Sequence, residues 1–175
     1  MADLPRLALS VRQPWAWAII HGGKVIENRS PGSIKTGRMT TGLICIHAAT
    51  DMKEDEYRYA HWRLVRHGVT CPRPDELVRG GIIGTVDVTG IVTASDSEWF
   101  GGSAGLTLAR PKAVDPIPAR GALGYFEWHR AEAFAPVKPW MKRFDRSHGD
   151  DRTLSLFPDA EPTYKSAPAK PWSKG

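Results

Sequence analysis

The sequence predicts a small mixed barrel of the α+β class, and three observations predict it. From Ile82 to Val92, the residues Ile82, Gly84, Val86, Val88 and Val92 alternate with Thr85, Asp87 and Thr89, the period of two expected of a half-buried strand. Gly84 and Gly90 within that strand suit the bends a small closed barrel needs at its corners. Around it lie many short apolar runs and only two persuasive helices, so short helices flank a sheet.

In chain order, Arg6 to Val11 reads as a first strand with Leu7 and Leu9 on one face. Pro14 stands in the first turn of a short helix whose apolar residues Trp15, Ala18 and Ile19 share a side, and Gly22-Gly23 stops it. A strand bearing Lys24, Glu27 and Arg29 follows. Because Lys24 and Glu27 are three apart, a regular strand sends them to opposite faces. They converge only if Lys24 still belongs to the turn or the strand is bulged. The segment SPGSIKTGRMTTG is expected to be a surface loop, basic through Lys35 and Arg38.

Gly42 to Ala48 is a short apolar run bounded by turn residues, a buried strand that ends near His47. Asp51 and Glu54 form an Asp-x-x-Glu start for a helix running to about His67, stopped by Gly68, with Tyr57, Ala60 and Leu64 on one stripe. Past the alternating strand, Trp99 and Phe100 lie in a glycine-flanked loop, either plugging the barrel or offering a stacking surface. Gly105–Ala109, Ala113–Pro118 and Leu123–Trp128 complete the strands, the prolines confining the middle one to an edge. From Trp128 on, Lys138, Lys142, Arg143 and Arg146 interleave with Trp140 and Phe144. That pattern suits single-stranded nucleic acid, or equally a solvated terminal segment. Residues 1–145 are expected to form the domain and 146–175 a flexible, disordered tail.

The chain has 175 residues, 41% hydrophobic and 25% charged, with a formal net charge of +5. Such a length buries a core without disulfide or metal help, and the charge favours a polyanionic partner. No apolar run approaches the roughly 20 residues that span a bilayer, so no membrane partner is expected. The two cysteines, Cys45 and Cys71, have no metal-like spacing and no disulfide framework, which points to a reducing cytoplasm. No phosphate-cradling glycine loop, dinucleotide fingerprint or zinc spacing is present, so no cofactor or metal is expected.

One run concentrates the chemistry: Ser10, Gln13, Pro14, Trp15 and Ala16, then Gly22, Lys24, Glu27 and Arg29. This Ser-x-x-Gln-Pro-Trp-Ala element followed by Gly-x-Lys-x-x-Glu-x-Arg resembles the opening of the activating signal cointegrator homology (ASCH) domains of the PUA-like superfamily. The strands at 42–48 and 81–87 and the segment from Ser97 to Gly105 fit the same resemblance, which covers about residues 6–129. It implies a PUA-like β-pseudobarrel with short flanking helices.

It also implies binding of RNA, another single-stranded nucleic acid or a modified nucleotide in a basic cleft beside the barrel. There Arg12, Lys24 and Arg29 would meet phosphate or a base edge, and Trp15 or Trp99 would stack. Lys24→Ala and Arg29→Ala would then weaken RNA binding and flatten its salt dependence. The alternative is a metal-independent hydrolase. Some relatives resemble amidohydrolases acting on acetylcytidine with a lysine, a threonine three residues later and a distant glutamate, and others are implied to cleave single-stranded RNA without a metal. Lys24 matches that lysine, but Glu27 occupies the threonine position. A Lys24/Glu27 pair retains acid-base capacity, or is simply a salt bridge closing one end of the barrel. A third possibility is an interaction module that reads nucleic acid for a larger assembly.

Ser10 is expected to tether the start of the helix and Gln13 to support the same turn; no Gly-x-Ser-x-Gly elbow marks Ser10 as a nucleophile. In the tail, Thr153 to Phe157 resembles the peptide by which bacterial replication and repair proteins dock on the sliding clamp, with Leu154, Leu156 and Phe157 as its apolar anchors and Thr153 replacing the usual glutamine.

Overall fold

β4 (Gly81–Val92) is the spine of the molecule in the computed structural model, which describes residues 4–145. It pairs antiparallel with β3 (Gly42–Ala48) on one side and β5 (Ala104–Pro118) on the other. β2 (Ile26–Arg29) adds to β5, while β1 (Leu7–Val11) adds parallel to β3 and carries β6 (Tyr125–Glu127) at the far edge. The six-stranded order β2-β5-β4-β3-β1-β6 curls into a half-barrel with a few short helices, an α+β architecture consistent with a PUA-like barrel. Register shifts at three places along β4 and β5 provide the curl, since each extra residue bends its strand and increases the local twist.

The inner face of the sheet holds the main core of Leu9, Val11, Ile44, Ile46, Val86, Val88 and Leu106, covered by Ile19 and Ile20 of α1 (Trp15–His21). Gly84 lets this helix approach: a Cβ there would lie 2.6 Å from Ile20 Cδ1 and 2.7 Å from the Lys112 carbonyl. A second core joins α3 (Glu54–Arg66) to α4 (Pro139–Arg143) through Tyr57, Leu64, Met141 and Phe144.

Several sequence expectations are corrected here. The segment after Arg29 is not only loop. Pro31–Thr36 forms α2, capped by the Ser30 hydroxyl, which accepts from the Ser33 amide at 3.1 Å, and Ile34 and Met39 are buried beneath it. A proline at the first helical position behind a serine cap is a start signal, and Ser/Gly richness hid it. The runs 105–109 and 113–118 are one continuous strand, β5. Beyond Leu108 it pairs with β4 alone, so its prolines do lie on an edge. α3 begins at Glu54, and the side chain that accepts from the preceding Lys53 amide is Glu56, at 3.3 Å, rather than a partner of Asp51.

Phe144 is buried and Trp140 partly so against Tyr57. Phe144 is therefore core rather than a stacking surface, while Lys142 and Arg143 are exposed. The expected tail 146–175, with Arg146 and the clamp-like Leu154, Leu156 and Phe157, lies outside the described residues. Among the described residues no helix is long and apolar enough to cross a membrane.

Candidate functional site

Lys24 lies in the turn between α1 and β2, outside the regular strand, and this lets it converge with Glu27. Its Nζ donates to Glu27 Oε2 at 2.8 Å and to the Ile26 carbonyl. Arg29 reaches the same carboxylate, Nη2 standing 3.3 Å from Glu27 Oε1, and donates to the Ser10 carbonyl at 2.7 Å. Arg29 thus links edge strand β2 to β1 near the opposite edge of the sheet. All three side chains are buried, at 4%, 2% and 9% exposure for Lys24, Glu27 and Arg29. Glu27 Oε1 has no hydrogen-bond donor among the described residues. Burial pushes the Lys24 ammonium below its ordinary pKa, opposed by the charge and hydrogen bond of Glu27, because desolvation disfavours the charged form.

One indole meets this cluster directly and a second lies in the adjoining core. The Lys24 ammonium is 5.9 Å from the centre of the partly exposed Trp15 ring, within range of a cation-π contact. Trp99 packs with Trp15 against the α3–α4 core and lies flat on His67, ring centres 3.8 Å apart, which leaves it one face. Asn28 of β2 fixes the Trp99 loop, donating to the Trp99 carbonyl and accepting from the Gly101 amide.

Gln13 accepts from the Trp17 amide at 2.9 Å and donates to the Val78 carbonyl at 2.8 Å, so it satisfies a first-turn donor of α1 and ties that helix to the strand lead-in. Arg12 pairs with Glu56 of α3 instead of joining Lys24. The structure therefore brings together Lys24, Glu27, Arg29 and Trp15, sets Trp99 in the neighbouring core with one face stacked, and gives Arg12 a carboxylate partner.

Ser10 does not tether the helix through its side chain. Its Oγ is 3.0 Å from His47 Nδ1, and His47 Nε2 is 3.0 Å from the Ala119 carbonyl. A carbonyl only accepts, so Nε2 carries the proton and the serine hydroxyl donates to Nδ1. Burial holds His47 below its ordinary pKa, which favours this neutral form. A Cβ on Gly121 would lie 2.6 Å from His47 Cε1 and 2.8 Å from Ser10 Oγ. The pair therefore clamps the segment 119–124 onto β1 and β3, with Gly121 seated against the hydroxyl. In the sequence His47 stands out only as a strand end, and nothing singles out Asn28, Tyr125 or Gly121 but a place one or two residues from a motif position or strand end.

A family model for the ASCH domain matches residues 9–139. The chain belongs to the ASCH domain family. Its match begins within β1 and ends at the start of α4, so the ASCH domain takes in all six strands, β1 in part, together with Lys24, Glu27, Arg29, Trp15 and Trp99. A comparison with curated proteins found no match.

Proposed function

We propose that this ASCH domain binds nucleic acid, RNA or a modified nucleotide, by reading a base at the Lys24–Glu27–Arg29 cluster while Trp15, or the face of Trp99 away from His67, stacks on it. The observation that carries the reading is the buried Lys24–Glu27 pair at 2.8 Å. Such a pair gains little stability over apolar residues of similar volume, so its presence beside the Trp15 ring is better explained by recognition. Glu27 Oε1, which meets Arg29 as an ion pair but accepts no hydrogen bond among the described residues, suits an exocyclic amino or ring N–H group, as carboxylates accept from cytosine N4. Lys24 has a third N–H beyond its bonds to Ile26 and Glu27, suited to a base carbonyl. Stacking on an indole is worth about 1–3 kcal/mol per base and tolerates any sequence.

The test is a titration of the full chain with short single-stranded RNA, duplex RNA and single-stranded DNA, followed by tryptophan fluorescence. Trp15→Ala is expected to weaken the preferred ligand roughly tenfold or more. Equal affinity in wild type and variant would reject the site.

One observation favours a second reading, metal-independent hydrolysis. A lysine whose pKa burial lowers, 2.8 Å from a carboxylate, has the tuning that acid-base groups need. Glu27 would take a proton from the attacking hydroxyl or water and Lys24 would stabilise the developing negative charge. Incubation with labelled single-stranded RNA and with acetylcytidine in EDTA decides it: turnover lost in both Lys24→Ala and Glu27→Ala supports an enzyme, and intact substrate rejects one.

A further inference from the structure

Two stretches without a single carboxylate, residues 28–50 and 116–126, meet where Gly37 touches Gly124. A Cβ on Gly37 would lie 2.7 Å from Gly124 Cα. The Tyr125 amide donates to the Gly37 carbonyl at 3.0 Å and the Tyr125 hydroxyl to the Thr40 carbonyl at 2.8 Å. This join brings the end of α2, where Lys35 and Arg38 are exposed, against the segment before β6 that also carries exposed Arg120. None of the three makes an ion pair among the described residues, whereas Arg6, Arg58, Arg73, Arg110 and Lys138 each have a carboxylate partner.

The backbone at this face is fixed. Arg38 is held at φ 51, a left-handed conformation that glycine adopts more readily than arginine. Ala119 is held by His47, and Gly121 seats on the same ring. Leu123 projects from the tip of the segment with 97% exposure. The face adjoins the candidate site, because Ser30 next to Arg29 caps α2 and the Arg29 charge acts on the Tyr125 hydroxyl.

We infer that Lys35, Arg38 and Arg120 form the track for the phosphate backbone of the nucleic acid whose base the Lys24–Glu27 cluster reads, an inference that rests on the proposed function. Cations on a fixed backbone without carboxylate partners attract a polyanion without first breaking internal pairs, and phosphate contacts position a strand while base contacts specify it. Leu123, at the tip of the same segment, packs on a sugar or base face between phosphates.

The experiment measures binding of full-length protein to a labelled single-stranded RNA and to an abasic ribose-phosphate oligomer of equal length, from 50 to 200 mM salt. The variants are Lys35→Gln/Arg38→Gln/Arg120→Gln together, Leu123→Ser and Trp15→Ala. Each phosphate contact on a single strand contributes a slope of about 0.7 in log K against log salt. The triple variant is therefore expected to flatten the slope by roughly 2, so that wild type loses about 20-fold more affinity over this range than the variant does. Leu123→Ser and Trp15→Ala are expected to weaken RNA binding and leave the slope unchanged.

An unchanged slope in the triple variant overturns the track, as does wild-type protein that binds neither oligomer. The two readings separate cleanly. If the abasic oligomer binds through the three cations but bases add nothing, the track stands and base reading falls. If bases add affinity through Trp15 while the slope ignores the cations, base reading stands and the track falls.

Discussion

Lys24 and Glu27 hold each other where little of either side chain is open to water, so each becomes a liability when the other is removed. Lys24→Ala or Glu27→Ala alone is expected to cost about 3–5 kcal/mol, the penalty of an uncompensated buried charge. The double variant is expected to cost less than the sum by at least about 0.5 kcal/mol. Urea unfolding of the four proteins measures this coupling, and simple additivity would contradict the contact. Cys45 behaves oppositely to a reactive thiol. Burial pushes it up to about 11, so at pH 8 it stays protonated and is expected to resist a thiol reagent until the chain unfolds; fast labelling of native protein at Cys45 would refute its burial.

At the scale of elements, the structure separates what local pattern encodes from what packing decides. β3, β4 and the Tyr57–Ala60–Leu64 stripe of α3 were legible because their periods of two and 3.6 are set by which face is buried. So was the convergence of Lys24 with Glu27, as one of two stated geometric alternatives. α2 was not legible, because six residues rich in Ser, Gly and Thr carry no apolar period. The fusion of two runs into β5 was hidden by prolines that an edge tolerates. Nor could the sequence tell that Phe144, 134 residues after Ser10 but packed on Tyr57, is core. Phe144→Ala is expected to lower stability by about 3–5 kcal/mol, checked by thermal or urea unfolding; a loss under about 1 kcal/mol would mean that α4 does not seal the second core.

For the whole molecule, the pH dependence follows from the clamp that joins β1, β3 and the segment 119–124. His47 lies below its ordinary value of 6.5 through burial, and the partly buried His67 is shifted the same way. Below about pH 6.5 the unfolded chain takes up protons that the folded chain refuses. Stability is therefore complete above that pH and falls as pH drops towards the folded values, by at most about 1.4 kcal/mol per pH unit for each group. Urea midpoints at pH 7.5, 6.5 and 5.5 are expected to fall in wild type and to fall less steeply in His47→Gln. A steeper fall in that variant would refute the assignment.

The most direct test of the central claim is the affinity of the full chain for short single-stranded RNA, read by tryptophan fluorescence, against an abasic oligomer of the same length in wild type and Trp15→Ala. The account predicts that bases add affinity in wild type and that Trp15→Ala removes most of the gain. Equal binding of the two oligomers by wild-type protein would contradict it.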